Sequence, residues 1–347
     1  VVLLVLLGLV MVYSASDALA RDRGPGVNSF ALKQTAWAAL GFALMAVTMH
    51  LDYGLLRKPV VIYSLVAVSV LLLVLVLFMP RLNATRRWLF VGPISVQASE
   101  FAKIAVIAFL AYQLERKEGA VNSRQVLLPA GLLVGLVAAL VLVEPDLGTA
   151  GLIVAGAMLL LFLAGLAWRT VVVGALAAIP VGALAIMAAP YRRARWVAFL
   201  NPEADPLGSG FQAMQSLIAV GSGGLFGLGP GASVQKLYFL PYPHSDFIFA
   251  ILAEELGMIG AAALLTLVLV LLWRGARAGL RAPDPLGRYL AWGLTGVLVL
   301  QALVNISVTL ALLPTKGIPL PFLSYGGCSL VMSLVACGLI LNVSQHG

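Results

Sequence analysis

Apolar runs of about 20 residues recur along the chain from its first residues to its last, and they limit its fold more than any other feature. A run of this length is what an α-helix needs to cross the hydrocarbon core of a bilayer. Hydrophobic residues make up 61% of the 347 residues and charged residues 10%, whereas soluble domains carry about 25% charged residues. Mean hydropathy is +1.03. The sequence therefore predicts an all-α polytopic membrane protein.

The apolar segments predict about ten transmembrane helices in a single domain over residues 1–347. The first segment is short and begins without Met, so we expect the natural chain to begin before Val1. The two cysteines, Cys328 and Cys337, lack a CxxC spacing and a nearby His, and we interpret them as small core residues. The predicted segments are 1–13, 30–50, 59–79, 99–114, 127–143, 150–168, 171–190, 247–273, 289–312 and 323–343.

Residues 191–246, between the seventh and eighth segments, form a polar stretch rich in Gly and Pro. The stretch is far longer than ordinary connections, which indicates a functional element. Apolar residues return near helical spacing over 211–220 and predict a short interfacial or re-entrant helix there. A smaller polar segment, "RLNATRRWLFVGPISVQA", precedes the fourth predicted helix.

Basic residues are shared equally between the loops of the two membrane sides, so the positive-inside rule does not orient the chain. On one side the cations are concentrated in the two longer polar segments. Such clusters suit an anionic ligand such as a phosphate or diphosphate, although anchoring at lipid headgroups explains them equally well. The cations concerned include Arg87, Arg192, Arg193 and Arg195, and Lys316 lies on the same side in the segment 315–330.

Four ionisable residues lie at or inside the ends of apolar segments. Glu100 and Lys103 are spaced i, i+3 and share one helix face, with Ser99 as a candidate cap. They form either a local ion pair at a helix start or part of a functional site, the default expectation for ionisable groups at membrane depth. In "VEPDLGTAG", Pro145 stops one helix, and Asp146 either caps the next helix or joins Glu144 in a polar cluster.

The segments "PHSDFIFAILAEELG" and "TKGIPLPFLSYGGCSL" place polar groups beside irregular backbone. Asp246 either caps the helix that follows or, beside His244, acts as a general base. Glu254 lies about 12 Å further along that helix than Asp246 and shares a broad side with it. Glu255 faces nearly opposite to Asp246. We therefore interpret these two glutamates as buried polar support or helix contacts rather than as members of one site. Irregular backbone at membrane depth needs protein or a water-filled cavity around it.

Five ordered motifs resemble the SEDS family (shape, elongation, division and sporulation proteins), and within it the RodA branch more than the FtsW branch. They are "RRWLFVGPISVQASEFAK", "EPDLGTA", "NPEADPLGSGFQAMQSLIAVGSGGLFGLG", "FLPYPHSDFIFAILAEELG" and "TKGIPLPFLSYGGCSL". The chain departs from the family pattern at Ala98, where Pro is usual, and at Cys328, where Ser is usual. Neither departure removes an ionisable residue.

The resemblance implies a peptidoglycan glycosyltransferase that polymerises lipid II into glycan strands on the outer face of the bacterial cytoplasmic (inner) membrane during cell elongation. It also implies ten helices with cytoplasmic termini and a long extracytoplasmic loop between helices 7 and 8. The implied partners are lipid II, the nascent glycan strand, membrane lipid and a class B penicillin-binding protein, which is a transpeptidase. No nucleic-acid-binding motif is present.

By the same resemblance, Asp246 is the catalytic carboxylate, a general base for an inverting transfer. No ligand cluster in the sequence demands a metal ion or another cofactor, although a divalent cation would assist a departing diphosphate. A lipid II flippase and a non-catalytic scaffold for the transpeptidase are the alternatives, and a flippase needs a polar path through the whole bilayer. The candidate substrate-binding residues are Arg87, Trp88, Glu100, Lys103, Glu144, Asp146, Arg192, Arg193, Arg195, His244, Lys316 and Ser324.

Overall fold

The computed structural model describes residues 1–21, 29–80, 86–91, 94–201, 210–237 and 239–347. Parts of two predicted motifs, 81–85 with 92–93 and 202–209, lie outside the described residues. The described residues form twelve α-helices: α1 Val2–Arg21, α2 Ser29–His50, α3 Pro59–Val76, α4 Ala98–Arg116, α5 Arg124–Val143, α6 Leu147–Leu163, α7 Trp168–Met187, α8 Pro190–Leu200, α9 Phe211–Ser222, α10 Ile248–Arg281, α11 Pro285–Thr309 and α12 Gly327–Gln345.

Every predicted apolar segment overlaps one of these helices, so the prediction of a helical polytopic membrane protein is confirmed. Among the described residues, seven helices are long and apolar enough to cross a bilayer, namely α2, α3, α5, α7, α10, α11 and α12. The apolar parts of α1 and α6 are shorter, and α4 carries Glu100 and Lys103. The total of about ten spans therefore stays a prediction.

Short elements interrupt the polar segments. The helix predicted over 211–220 is confirmed as α9, whereas α8 has no counterpart in the prediction because three arginines mask its apolar residues. Strands β1 Trp88–Val91 and β2 Ile94–Gln97 pair antiparallel, with Trp88 opposite Gln97. The strand β2 leads directly into α4, which begins at Ala98 without a side-chain cap. The predicted capping role of Ser99 is therefore wrong.

The chain comprises two compact units. The first consists of Val1–Leu40, Gly182–Val270 and Gln301–Leu330, and the second of Gly41–Val181, Leu271–Leu300 and Val331–Gly347. The helix α4 forms the core of the second unit, where it packs against α3, α5 and α6 and is buried along most of its length.

The long helix α10 is broken at Gly257, in its first-unit part, where φ is 64° and ψ is −163°. The break receives the glycine-rich loop 223–231 through backbone hydrogen bonds. Leu228 N donates to Glu254 O at 2.9 Å, and Met258 N donates to Gly224 O at 2.9 Å. The loop approaches α10 so closely that a Cβ at Gly227 would collide with the carbonyl of Glu255. A glycine at this position therefore lets the loop backbone lie directly against α10.

The two adjacent glutamates of α10 both bind the segment 233–236 that follows this loop. Glu254 accepts hydrogen bonds from Val234 N at 3.0 Å and Gln235 N at 3.3 Å. Glu255 lies 2.8 Å from Lys236 Nζ, which also donates to Gly231 O at 2.7 Å. Both glutamates are buried, and each buried charge has the hydrogen-bonding partners that its burial requires. Their interpretation as buried polar support is confirmed.

Replacing Gly257 by Ala is expected to lower the melting temperature of the detergent-solubilised protein. Its φ and ψ lie in a region essentially reserved for glycine, which costs about 1–3 kcal/mol for other residues, and the new Cβ would meet the backbone of Gly227. The matched control is Gly221→Ala in α9, where a Cβ meets nothing within 4 Å. A Gly257→Ala protein that melts like the control would show that this break does not constrain the fold.

Candidate functional site

Asp246 lies just before α10, next to the irregular segment 313–326, whose backbone is hydrogen-bonded by amide side chains. The first helical turn starts with the carbonyl of Phe247, which accepts from Ala250 N at 3.0 Å. Asn305 Nδ2 donates both to Asp246 O at 2.9 Å and to Ile318 O at 2.7 Å. One side chain of α11 therefore joins the backbone at Asp246 to the irregular segment 313–326.

Ser324 and His244 fix the same segment from the other side. Ser324 Oγ donates to Ser245 O at 2.6 Å and accepts from Leu320 N at 2.7 Å. The His244 ring packs against Phe30 and Tyr325, with centroid distances of 5.0 and 5.5 Å. Both predicted residues thus shape the surroundings of Asp246, mainly through contacts with backbone and aromatic rings.

Two predicted cations lie on or beside this segment. Lys316 is half-buried in it, and a Cβ at the neighbouring Gly317 would lie 3.0 Å from Asp246 Oδ2. The Asp246 carboxylate therefore packs directly against the backbone next to Lys316. Arg195 of α8 donates from Nη1 to Thr315 O at 3.4 Å, which brings a second cation to the start of the segment.

The other arginines of α8 are placed differently. Arg192 donates from Nη1 to Ala185 O at 2.8 Å, near the end of α7, and its guanidinium lies 5.6 Å from the centroid of the Tyr191 ring. Arg193 is exposed. Of the three α8 arginines predicted to bind an anion, Arg195 contacts the segment 313–326 beside Asp246. Arg192 instead contacts the end of α7.

Six predicted residues belong to the second unit, where the β-hairpin, α4 and the α5–α6 break carry them. Trp88 begins β1 opposite Gln97, the residue before α4. Glu100 and Lys103 form the expected pair on α4, with Lys103 Nζ 2.9 Å from the carboxylate, and both side chains are buried. A buried pair of this kind is retained only when each charge is compensated.

Arg87 and Asp146 close the break between α5 and α6. Asp146 caps α6 as predicted, accepting from Thr149 N at 3.1 Å and from Thr149 Oγ1 at 2.8 Å. Arg87 donates from Nη2 to Pro145 O at 2.7 Å, and its Nη1 lies 3.7 Å from Asp146 Oδ2. The arginine therefore satisfies a carbonyl left free by the break and partly neutralises the capping carboxylate.

Glu144 is the exception in this cluster. Its side chain is 0% exposed, and within the described residues neither carboxyl oxygen has a hydrogen-bond partner. The pKa of Glu144 is raised from its ordinary 4.5 to about 8, mainly by burial and secondarily by the charge of Asp146, while the charge of Arg87 acts in the lowering direction. At neutral pH the carboxyl is therefore mainly protonated.

Sequence reasoning missed three amide side chains that bind the backbone of the segment 313–326 beside Asp246. They are Asn305 and Gln301 of α11 and Gln34 of α2, and Gln34 donates to Ser324 O at 3.1 Å. An isolated amide within an apolar segment was the available signal. In the described ranges no three His, Cys, Asp or Glu side chains are grouped as metal ligands.

Comparisons with known proteins cover almost the whole chain. A family model described as "Cell cycle protein" (FTSW_RODA_SPOVE) matches residues 1–347. Stage V sporulation protein E of Bacillus subtilis is 44% identical over 347 residues, covering 99% of this chain and 94% of that protein. The probable peptidoglycan glycosyltransferase FtsW of Geobacter sulfurreducens is 40% identical, covering 98% and 91%.

Solved structures agree with this chain over the same extent. A chain of the structure described as "Structural coordination of polymerization and crosslinking by a peptidoglycan synthase complex" has a TM-score of 0.79 at 34% identity, covering 99% of this chain and 96% of that one. The rod shape determining protein RodA of Thermus thermophilus has a TM-score of 0.73 at 31% identity, covering 99% and 94%.

Replacing Glu144 by Gln is expected to raise the melting temperature at pH 8 and above, with little effect near pH 4.5. The native pKa of about 8 lies above the ordinary 4.5, so between these values the folded state holds a proton that the unfolded state releases. Stability associated with Glu144 is therefore complete below about pH 4.5 and is lost as pH rises toward 8. Parallel melting curves for the two proteins over this range would contradict the assignment.

Proposed function

Because this chain belongs to the FtsW/RodA/SpoVE family of cell cycle proteins, the SEDS family predicted from its motifs, we propose that it is a peptidoglycan glycosyltransferase that polymerises lipid II. The family model spans residues 1–347, and relatives at 40% identity over nearly their full length carry the name probable peptidoglycan glycosyltransferase. The predicted likeness to RodA is matched by the solved structures, while the curated relatives are named SpoVE and FtsW.

The observation that carries the proposal is a half-buried carboxylate packed against a cation-bearing loop. Lipid II has an α-linked diphosphate and glycan strands are β-linked, so the transfer inverts the anomeric carbon. The acceptor hydroxyl must lose a proton as the new bond forms, and a positioned carboxylate accepts such a proton. We assign this general-base role to Asp246, whose Oδ2 would lie 3.0 Å from a Cβ at Gly317.

The departing diphosphate develops negative charge that needs fixed cations nearby. Lys316 follows Thr315, whose carbonyl accepts a hydrogen bond from Arg195. Two cations therefore lie on or beside the segment 313–326, which packs against Asp246. Asn305 and Ser324 hold the loop backbone through the bonds described above. Such preorganisation matters because donors that are already oriented need no rearrangement in the transition state. A divalent cation would add to this charge stabilisation.

Catalysis is favoured over the two alternative functions. A flippase needs polar groups along the full depth of the bilayer, whereas the deep acids of the first unit, Glu254 and Glu255, are occupied by the loop 223–237. A scaffold alone would not require a carboxylate held beside a basic segment. The remaining proposals follow the family: an active site on the outer face of the inner membrane, a class B penicillin-binding protein as partner, and a role in cell elongation.

Asp246→Asn is expected to reduce the rate of glycan polymerisation by purified protein by about 10²–10⁴-fold, the usual contribution of a general base. The protein would be given labelled lipid II with and without its transpeptidase partner, and polymer would be resolved by gel electrophoresis. Glu118→Gln, at an exposed position, is the matched control.

An Asp246→Asn protein of full activity would exclude the general-base role. Movement of lipid II across liposomes by the unmodified protein, without polymer, would instead support the flippase. An unchanged melting temperature in the Asn variant would show that the loss of polymer is chemical rather than structural.

A further inference from the structure

The Glu144 carboxyl is a fully buried acid in a cluster where most of the other polar groups have partners. Both oxygens of Asp146 are bound by Thr149, and both terminal nitrogens of Arg87 face Pro145 O or Asp146. Neither oxygen of Glu144 has a partner in the described structure, and the buried Nε of Arg87 also lacks one. The hydrogen-bonding capacity left at the α5–α6 break therefore consists of one carboxyl and one guanidinium N–H.

The charges around Glu144 decide its protonation state. Asp146 lies two residues away and Arg87 lies against the intervening Pro145. Of the helices packed against α5, α3 and α6 carry no charged side chain beyond the cap Asp146. The helix α4 carries Glu100 and Lys103, which pair with each other, and Glu115 and Arg116 at its other end. An ionised Glu144 would be a second carboxylate beside one cation, with no hydrogen-bond donor from the described residues on either oxygen, and such burial is strongly unfavourable. A neutral carboxyl avoids most of this penalty.

A neutral carboxyl has one O–H donor beside its accepting C=O, and the guanidinium N–H only donates, so the two donors together suit a ligand oxygen that accepts. Phosphate oxygens are acceptors of this kind. A cationic or amine ligand is disfavoured because it would stand beside Arg87. The chemistry of the unpartnered groups therefore selects an anionic oxygen rather than a cation or a hydrocarbon.

We propose that Glu144 acts as a neutral acid that donates a hydrogen bond to a diphosphate oxygen of a lipid-linked substrate, with Arg87 Nε–H as a second donor. This assignment rests on the proposed function, because it names two groups that would bind the substrate of that activity. It makes Glu144 a proton-dependent binding residue. Ionised Glu144 would repel the diphosphate, so substrate affinity falls when the carboxyl loses its proton.

The kinetic test is the pH dependence of KM and kcat for lipid II. The KM of the unmodified protein should rise above pH 8, by about tenfold per pH unit once one proton is lost. Glu144→Gln keeps an N–H donor that does not ionise, so its KM should stay near the unmodified value at pH 7 and remain flat above pH 8. Glu144→Leu should show a raised KM at every pH, and Glu118→Gln should behave like the unmodified protein.

A KM that rises with pH equally in the unmodified and Gln proteins would overturn the proposal, as would an unchanged KM in the Leu variant. A purely structural role for Glu144 would change stability without producing this separation of the Gln and Leu variants.

Infrared spectroscopy tests the same assignment without polymerisation. In phosphatidylglycerol liposomes at pH 7, the unmodified protein should show a protonated-carboxyl C=O band that Glu144→Gln lacks. Adding lipid II should lower its frequency, because the carboxyl then donates a hydrogen bond, whereas phosphatidylglycerol alone should not. Absence of the band, or a band insensitive to lipid II, overturns the inference even if polymer forms. Absence of polymer with a lipid II-sensitive band would refute the proposed function and leave diphosphate recognition standing.

Discussion

The structure depends on one constraint: a polar group surrounded by apolar protein or lipid needs a hydrogen-bond partner. Regular helices satisfy their own backbone, so the constraint applies where helices are interrupted. Two of these interruptions are closed by particular side chains. Asn305 and Ser324 bind the segment 313–326, and Glu254 with Lys236 binds the loop 223–237.

The same constraint links the fold to its chemistry. Where a helix is interrupted, charged side chains can lie beside irregular backbone instead of facing only apolar neighbours. Asp246 and Lys316 both occur at such interruptions. At the α5–α6 break, Arg87 and Asp146 complete the backbone, but Glu144 is left with unused hydrogen-bonding capacity. A group that gains little from the folded protein alone is well suited to gain from a ligand, and this separates Glu144 from the purely structural acids Glu254 and Glu255.

Local features were predictable from the sequence because they depend on neighbouring residues. Apolar segment length predicted the long helices, and i, i+3 spacing predicted the Glu100–Lys103 pair. Long-range contacts were not predictable in this way. Ser14 donates to Glu255 across 241 residues, and Gln34 reaches Ser324 across 290. The hairpin β1–β2 and the arginine-rich α8 were missed because both are too short or too charged for hydrophobic periodicity. The burial of Glu144 depends on tertiary packing, so its raised pKa was also beyond sequence reasoning.

The central claim is that unpartnered polar groups at a helix break mark where the substrate diphosphate binds. The most direct measurement is a cryo-electron microscopy structure of the protein bound to lipid II. The account predicts a diphosphate oxygen within hydrogen-bond distance of the Glu144 carboxyl and of Arg87 Nε. Ordered lipid II whose diphosphate lies away from both groups, with Glu144 still unpartnered, would contradict it.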